Sequence, residues 1–512
     1  MRPNEQHSAP HSPGHPAPRH LISWGAALAL AAAIALLPAG ELLAGIGLAL
    51  ALALPLLSPA FGAYLAVLSV PVQELATLPG GLSYTQAAVL LAAAGWGLHL
   101  LVRRDAASEP LPRPMAAWLL LLLALLLSAS LTPYSATEGL KETARWGGAF
   151  LIWLVAATSL RRRWQLYGLV ACLLAAPAAD AVIGLQQFVS GDGPPTFRIA
   201  PDLPYVRAYG TIGQPNSFAG YMNMAWPLAL SVAAGATLGL WRDRRAGRRR
   251  LLLALLALGG WLLTAVLLAA LLASFSRGAW LGAAAAALGL AAAASVVILA
   301  QDERAQRGDA LARRRPSLRR RTVIALWSLI GVAVSAVIAL SWAGLLPQPL
   351  ASRLASIGGS LSVFDAGAVE VTAENFAVVE RMAHLQAGAR MLQARPLTGV
   401  GAGNFSVAYP DFAVGTWYAS RGHAHNYYLH IAAEAGLIGL AAYLALLGSL
   451  VLQGINALRT WNGTLPQCIA VGCCGIIAAV AAHNLFENLH VLNMGIQLAG
   501  VWAALHAERL EP

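Results

Sequence analysis

Charge is what this chain has least of. Only 11% of its 512 residues are charged, while 58% are hydrophobic; a soluble domain carries roughly 25% charged residues. A water-soluble globular protein is therefore excluded, and with it the size rules for soluble domains. Cysteine is scarce as well. Cys172, Cys468, Cys473 and Cys474 all fall in apolar stretches, at spacings that match no zinc or redox pattern. They read as small buried hydrophobes. Stretches that interleave basic and aromatic residues are also missing, so no groove for single-stranded nucleic acid is expected.

The charge that is present sums to +11, and its arginines cluster in short links between apolar runs. The links at 103–113, 161–163, 241–250 and 301–321 hold three, three, six and eight arginines. A membrane protein keeps its cytoplasmic loops positive in this way. Apolar runs lie at about 21–38, 41–57, 60–78, 83–102, 115–131, 146–160, 165–189, 216–240, 251–273, 278–300, 322–345, 426–452, 467–489 and 491–507. Each is near the roughly 20 residues that a bilayer needs. The expected fold is an all-α polytopic membrane protein with about 12–14 transmembrane helices, both termini cytoplasmic and one large outer loop.

Residues 1–20 form a Pro- and His-rich tail. His7, His11 and His15 are four apart, but Pro10 and Pro13 exclude the helix that would align them as metal ligands. Transmembrane helices are expected over 21–345, the first retained rather than cleaved, and again over 426–507. The outer segment 346–425 balances five arginines against five acids. Within it the pattern predicts an amphipathic helix over 373–395, capped by Thr372 and stopped by Pro396. Its apolar stripe would be Val378, Met382, Leu385, Ala389 and Leu392.

Polar residues gather at the outer ends of these spans. Arg277 stands between two spans in Ser274-Phe-Ser-Arg-Gly-Ala-Trp280, where a guanidinium needs an anion and phosphate fits its planar fork. Arg381 lies early in the amphipathic helix, where a solvated face is the plainer reading. Arg207 lies in a loop of glycines and hydroxyls leading to Asn216, which reads as a helix N-cap or as part of an anion site. His425 opens the span 426–452, surrounded by Arg421, His423 and Asn426. A neutral imidazole there can take a proton from a hydroxyl, and the positive end of the helix favours neutrality. His430 and Glu434 share a helix face four residues apart, where they can pair. His483, Asn484, Glu487 and His490 form a second polar face near the outer end of 467–489.

Three motifs occur in order: Ser276-Arg-Gly278, Arg381 ahead of Arg395-Pro-Leu-Thr-Gly-Val-Gly401, and His425-Asn426 followed after nine residues by Gly436, with Gly439 closing a Gly-x-x-Gly. Together with Gly213-Gln-Pro-Asn216 they resemble the O-antigen ligase and polymerase superfamily, over roughly residues 205–440. The resemblance implies a metal-independent glycosyltransferase without a cofactor, in the bacterial cytoplasmic (inner) membrane with its active site outside. It implies that Arg277 and Arg381, with Arg207, hold the diphosphate of a polyprenyl-linked glycan donor. It implies that His425 activates the acceptor hydroxyl, supported by Asn426, Asn216, His423, Arg421 and Glu434. Ligase and polymerase differ in acceptor, which is a glycan, a lipid or a protein hydroxyl. A small-anion (bicarbonate-like) transporter is the alternative of another class. It would call for broken spans and repeat symmetry, neither of which is visible in the sequence.

Overall fold

A computed structural model describes residues 39–506 except 74, 76, 79–80, 103–111, 201–202, 243–246, 309–315, 360–363 and 373–374. The apolar run 21–38 lies outside the described residues. Described residues 39–54 and those from Pro55 onward fall in separate units. The described part of the first belongs to helix α1 (Ala39–Leu57). The second contains α2 (Pro59–Ser69), α3 (Tyr84–Val102), α4 (Met115–Ser130), α5 (Ala136–Ser159), α6 (Arg163–Ser190), α7 (Pro215–Asn223), α8 (Trp226–Arg242), α9 (Arg248–Ala273), α10 (Arg277–Gly308) and α11 (Pro316–Trp342). After the expected outer segment's α12 (Gln348–Gly359), α13 (Phe376–Ala394) and α14 (Phe405–Phe412) come α15 (Tyr427–Thr460), α16 (Thr464–His483) and α17 (Met494–Ala504).

The protein is an all-α polytopic membrane protein. Among the described residues, eight helical stretches are long and apolar enough to cross a membrane, α7 and α8 counting as one. Three apolar helices, at 59–72, 115–130 and 494–504, are shorter. At about 1.5 Å per residue they fall short of a hydrocarbon core of about 30 Å. The expected run 216–240 divides after Asn223, whose side chain is diverted to tertiary bonds: Nδ2 donates to the Ala279 carbonyl at 2.9 Å, and Oδ1 accepts from Trp226 Nε1 at 2.9 Å.

Small residues set how closely the spans approach. A Cβ at Gly289 of α10 would stand 2.6 Å from that of Ala478 on α16, and one at Gly475 of α16 would stand 2.8 Å from the Leu290 side chain. Without a hydrophobic driving force between helices in lipid, close van der Waals contact of this kind holds them together. The seam brings the first residue of α10, Arg277, beside the last residue of α16, His483. Gly278 packs against the His483 ring, which a Cβ there would meet at 3.0 Å.

The helix expected over 373–395 begins at Phe376 instead. Thr372 does not cap it. Thr372 and Asn375 exchange hydrogen bonds of 2.8 and 3.3 Å ahead of the first turn, where Asn375 is the N-cap residue. The buried face is Val379, Met382, Ala383, Ala387 and Met391. It is rotated by about one residue from the expected stripe, because the helix packs on α14 and α15 rather than lying on one flat surface.

Against expectation, one membrane span is broken. Gly436, in the third turn of α15, has φ 67° and ψ −170°. The segment Pro396–Gly401 enters the gap. Val400 and Gly401 donate to the Ala433 and Glu434 carbonyls, each at 2.9 Å, while Leu437 and Ile438 donate to the Pro396 and Leu397 carbonyls at 2.8 and 3.3 Å. Every backbone group must find a partner at membrane depth, and here another stretch of chain supplies it. A Cβ at Gly436 would stand 2.1 Å from the Leu397 carbonyl oxygen. Gly436→Ala therefore combines that clash with a left-handed backbone and should destabilise by about 2 kcal/mol. Thermal unfolding in detergent checks it, and an unchanged midpoint would contradict the strap geometry.

Candidate active site

Four segments converge at one end of the α10–α16 seam: the loop before α7, the turn 274–276 before α10, the loop 420–426 with α13, and the turn after α16. At their centre is Glu487, which is 4% exposed. Its Oε2 accepts from Asn216 Nδ2 at 2.8 Å. Its Oε1 lies 2.9 Å from His423 Nε2 and 3.7 Å from His425 Nδ1. Asn216 in turn accepts from the Arg207 guanidinium at 2.8 Å, and Arg207 Nε donates to the Ser274 carbonyl at 2.7 Å. One chain of polar contacts thus ties the four segments together.

Asn216 is not the helix cap. Gln214 holds the N-cap position and Pro215 starts α7, which leaves the Asn216 amide free to bridge Arg207 and Glu487. Asn426 does cap α15, accepting from the Leu429 amide at 3.0 Å, and so sets where the helix starts rather than facing a ligand. His425, just before it, is held with φ 54°, and its N–H donates to His423 Nδ1 at 3.1 Å.

Guanidinium groups surround this centre. Arg277, Arg353 and Arg381 all lie within Coulombic reach of Arg207, and Arg353 and Arg381 of Arg277. Arg381 also reaches His425 and His483. The Arg381 Nε is buried without a hydrogen-bond partner, an orphan donor of the kind that an anion satisfies. Burial and then Arg353, with Arg277 and Arg381, pull Arg207 down to about 9, opposed by Glu487. It remains a cation at neutral pH.

Burial alone would raise Glu487, but the His423 and His425 imidazoles hold its carboxyl well below the usual carboxylate range. Burial pushes His425 down to about 4, with His423 and Arg381 adding to the effect and Glu487 opposing it. His425 is therefore neutral at ambient pH; its Nδ1 is buried without a hydrogen-bond partner, 3.7 Å from Glu487 Oε1, and with the ring proton on that nitrogen Nε2 would be the basic one.

The other expected residues serve different ends. Arg421 pairs with Glu380 at 2.8 Å, with its side chain 59% exposed, and its backbone N–H donates to His384 Nε2 at 2.9 Å. His384 is fully buried. Its Nδ1 donates to the Glu380 carbonyl at 2.8 Å and its ring meets that of His425 edge-on, with centroids 5.6 Å apart. Burial lowers its pKa, so the neutral ring keeps both bonds. Glu434 stands 3.6 Å from His430, but its carboxylate accepts from the Gly403 and Phe405 amides at 2.9 and 3.0 Å. It clamps the Gly-rich turn to α15. The second polar face divides: Glu487 turns to the histidines, whereas Asn484 and His490 hold Tyr443.

His423, His425 and Glu487 place three ligand-capable atoms within 4.8 Å of one another, so a metal deserves a test. The His425 N–H donates to His423 Nδ1, which puts the ring proton of neutral His423 on Nε2, the nitrogen facing Glu487. That nitrogen has no lone pair for a cation, and the surrounding guanidiniums disfavour one. The residues fit a hydrogen-bonded cluster better than a metal centre.

The sequence profile of the O-antigen ligase family matches residues 262–444. This match over about a third of the chain supports membership of the O-antigen ligase and polymerase superfamily. No curated protein matches it. The family segment contains Arg277, Arg353, Arg381, His423, His425 and the break at Gly436, while Arg207, Asn216 and Glu487 lie outside it. Sequence reasoning left out Arg353, which was counted only within the balanced charge of the outer segment, and gave Glu487 no role of its own.

An NMR titration of the histidine rings should show His425 protonating only as pH falls through about 4. In Glu487→Gln the midpoint should move lower still, since the anion that favours the imidazolium is gone. A wild-type midpoint near 6.5 would rule out the buried neutral imidazole.

Proposed function

We propose that the protein transfers a glycan from a polyprenyl-diphosphate-linked donor to an acceptor hydroxyl at the outer face of the bacterial cytoplasmic membrane, with both termini cytoplasmic. The observation that carries this reading is the gathering of Arg277, Arg353 and Arg381 about Arg207, with Arg381 also within Coulombic reach of a neutral His425. Cations crowded together and partly desolvated are costly, and a bound diphosphate offsets that cost.

In this reading the acceptor O–H gives its proton to His425 Nε2 while its oxygen attacks the anomeric carbon. The bond from that carbon to the diphosphate oxygen breaks, and the electron pair leaves with the polyprenyl diphosphate. Charge grows on that oxygen in the transition state, where fixed guanidiniums stabilise it without solvent reorganisation. A diphosphate is already a good leaving group, so the chemistry calls for neither a strong acid nor a metal. Glu487 orients His423 and His425 and favours the imidazolium that forms, the part a carboxylate plays behind a catalytic histidine.

Ligase and polymerase activities use the same groups and differ in what delivers the hydroxyl. For the transporter alternative, the broken span is filled by the segment Pro396–Gly401, which favours a structural break over a substrate site.

Reconstitution of the full chain with a polyprenyl-diphosphate oligosaccharide and candidate acceptors tests the proposal. His425→Ala should lower transfer by about 10²–10⁴-fold, the usual worth of a general base, while the protein still inserts. Arg277→Lys should impair donor use, because an ammonium cannot reproduce the bidentate grip. Undiminished transfer in either variant would remove that residue from its role.

A further inference from the structure

Three aromatic rings stand in a pile beside the arginines, and nothing in the chemistry above uses them. Tyr205 stacks on Phe188 with centroids 5.3 Å apart and 12° between planes, and Phe188 stacks on Phe275 at 6.4 Å and 15°. Phe275 belongs to the turn whose Ser274 carbonyl receives Arg207 Nε. Phe275 also has φ 51°, a left-handed backbone in a bulky residue, so the turn holds that ring in place at some conformational cost. Phe275 is buried, whereas Tyr205, at the other end of the pile, is 40% exposed. Phe188 stacks on the Tyr205 ring, while Tyr205 keeps two-fifths of its surface exposed.

The backbone explains why ring and guanidinium lie together. Arg207 donates to the Phe197 carbonyl at 2.8 Å, Ile199 donates to the Tyr205 carbonyl at 3.3 Å, and Ala208 donates to the Ala273 carbonyl at 2.9 Å. Val206 bridges Arg198 as in a sheet. In extended chain alternate side chains share a face, and burial follows that rhythm, with Val206 and Ala208 buried and Tyr205 and Arg207 less so. Tyr205 and Arg207 therefore project to the same side, with Cα atoms about 7 Å apart.

We infer that Tyr205, backed by Phe188 and Phe275, is the platform for the donor's first sugar ring, the one joined to the diphosphate. This rests on the diphosphate reading of the arginines. A sugar bonded directly to a phosphate held at Arg207 lies within one ring's length of it. The C–H face of a pyranose packs on a flat aromatic surface whose rigidity keeps the entropy cost low. The stack thus sets the position of the anomeric carbon relative to His425, and the kind of sugar accepted there.

Binding of two probes to the detergent-solubilised full-length protein tests this: geranylgeranyl diphosphate, and the same lipid diphosphate carrying one N-acetylhexosamine. Tyr205→Ala should weaken the sugar-bearing probe about tenfold, the scale of one aromatic stacking contact, and leave the sugar-free probe within about twofold. Tyr205→Phe should keep both affinities, since it keeps the ring. Tyr205→Leu should behave like alanine. Equal loss of both probes in Tyr205→Ala, or no loss, would overturn the platform. Full affinity in Tyr205→Leu would also overturn it and make Tyr205 a membrane-interface anchor. If wild-type protein bound neither probe, the diphosphate reading would fall along with this one.

Discussion

A buried carboxylate among cations governs this site. Glu487 is almost wholly removed from water, and its two oxygens meet Asn216, His423 and, at longer range, His425. An isolated charge at that depth would neutralise itself or destabilise the fold. Here it stays ionised because imidazoles and guanidiniums surround it, and in return it orients the groups that surround it. The loop before α7, the loop before α15 and the turn after α16 are thereby held to one another. The Arg381 Nε, buried beside this cluster without a hydrogen-bond partner, is a reason to expect an anionic substrate.

Two backbone devices bring those segments to the same place. The glycine seam between α10 and α16 sets Arg277 against the end of α16. The break at Gly436 lets the segment 396–401 cross α15, while Glu434 holds the following turn from the other side. Arg381 and His425 stand on chain that leads into and out of this crossing, so their separation is set by backbone hydrogen bonds rather than by loop chance. A membrane protein has reason to build in this way, because each unmet amide in hydrocarbon is expensive.

Much of the site was legible as residue types. Arg277 between two spans, His425 at a helix start and the polar run 483–490 each stood out because polar groups in apolar sequence need a reason. Their partners were harder to read. Glu434 does stand 3.6 Å from His430 on the shared helix face, yet its oxygens also accept from amides more than 25 residues earlier in the chain, at Gly403 and Phe405, which no local pattern announced. Arg421 sits in the same short run as His425, yet it turns outward to Glu380. Asn216 had the sequence context of an N-cap and instead became the bridge to Glu487. In each case local pattern gave the donor or acceptor and left its partner open.

By itself the sequence determined the solvent, because 58% apolar residues with 11% charge cannot form a water-soluble core, and it determined the helical character of the spans, because lipid allows little else. It also marked Gly436 without saying that another stretch of the same chain would pass there. Only the tertiary structure decided which of the polar residues meet. Hydrophobic periodicity reports one helix and its nearest turn, whereas the contacts of Glu487 join residues 216, 423 and 425 across hundreds of positions. Those contacts depend on how closely glycine-lined helices pack and on where one helix is forced open, and neither is a property of any single stretch of chain.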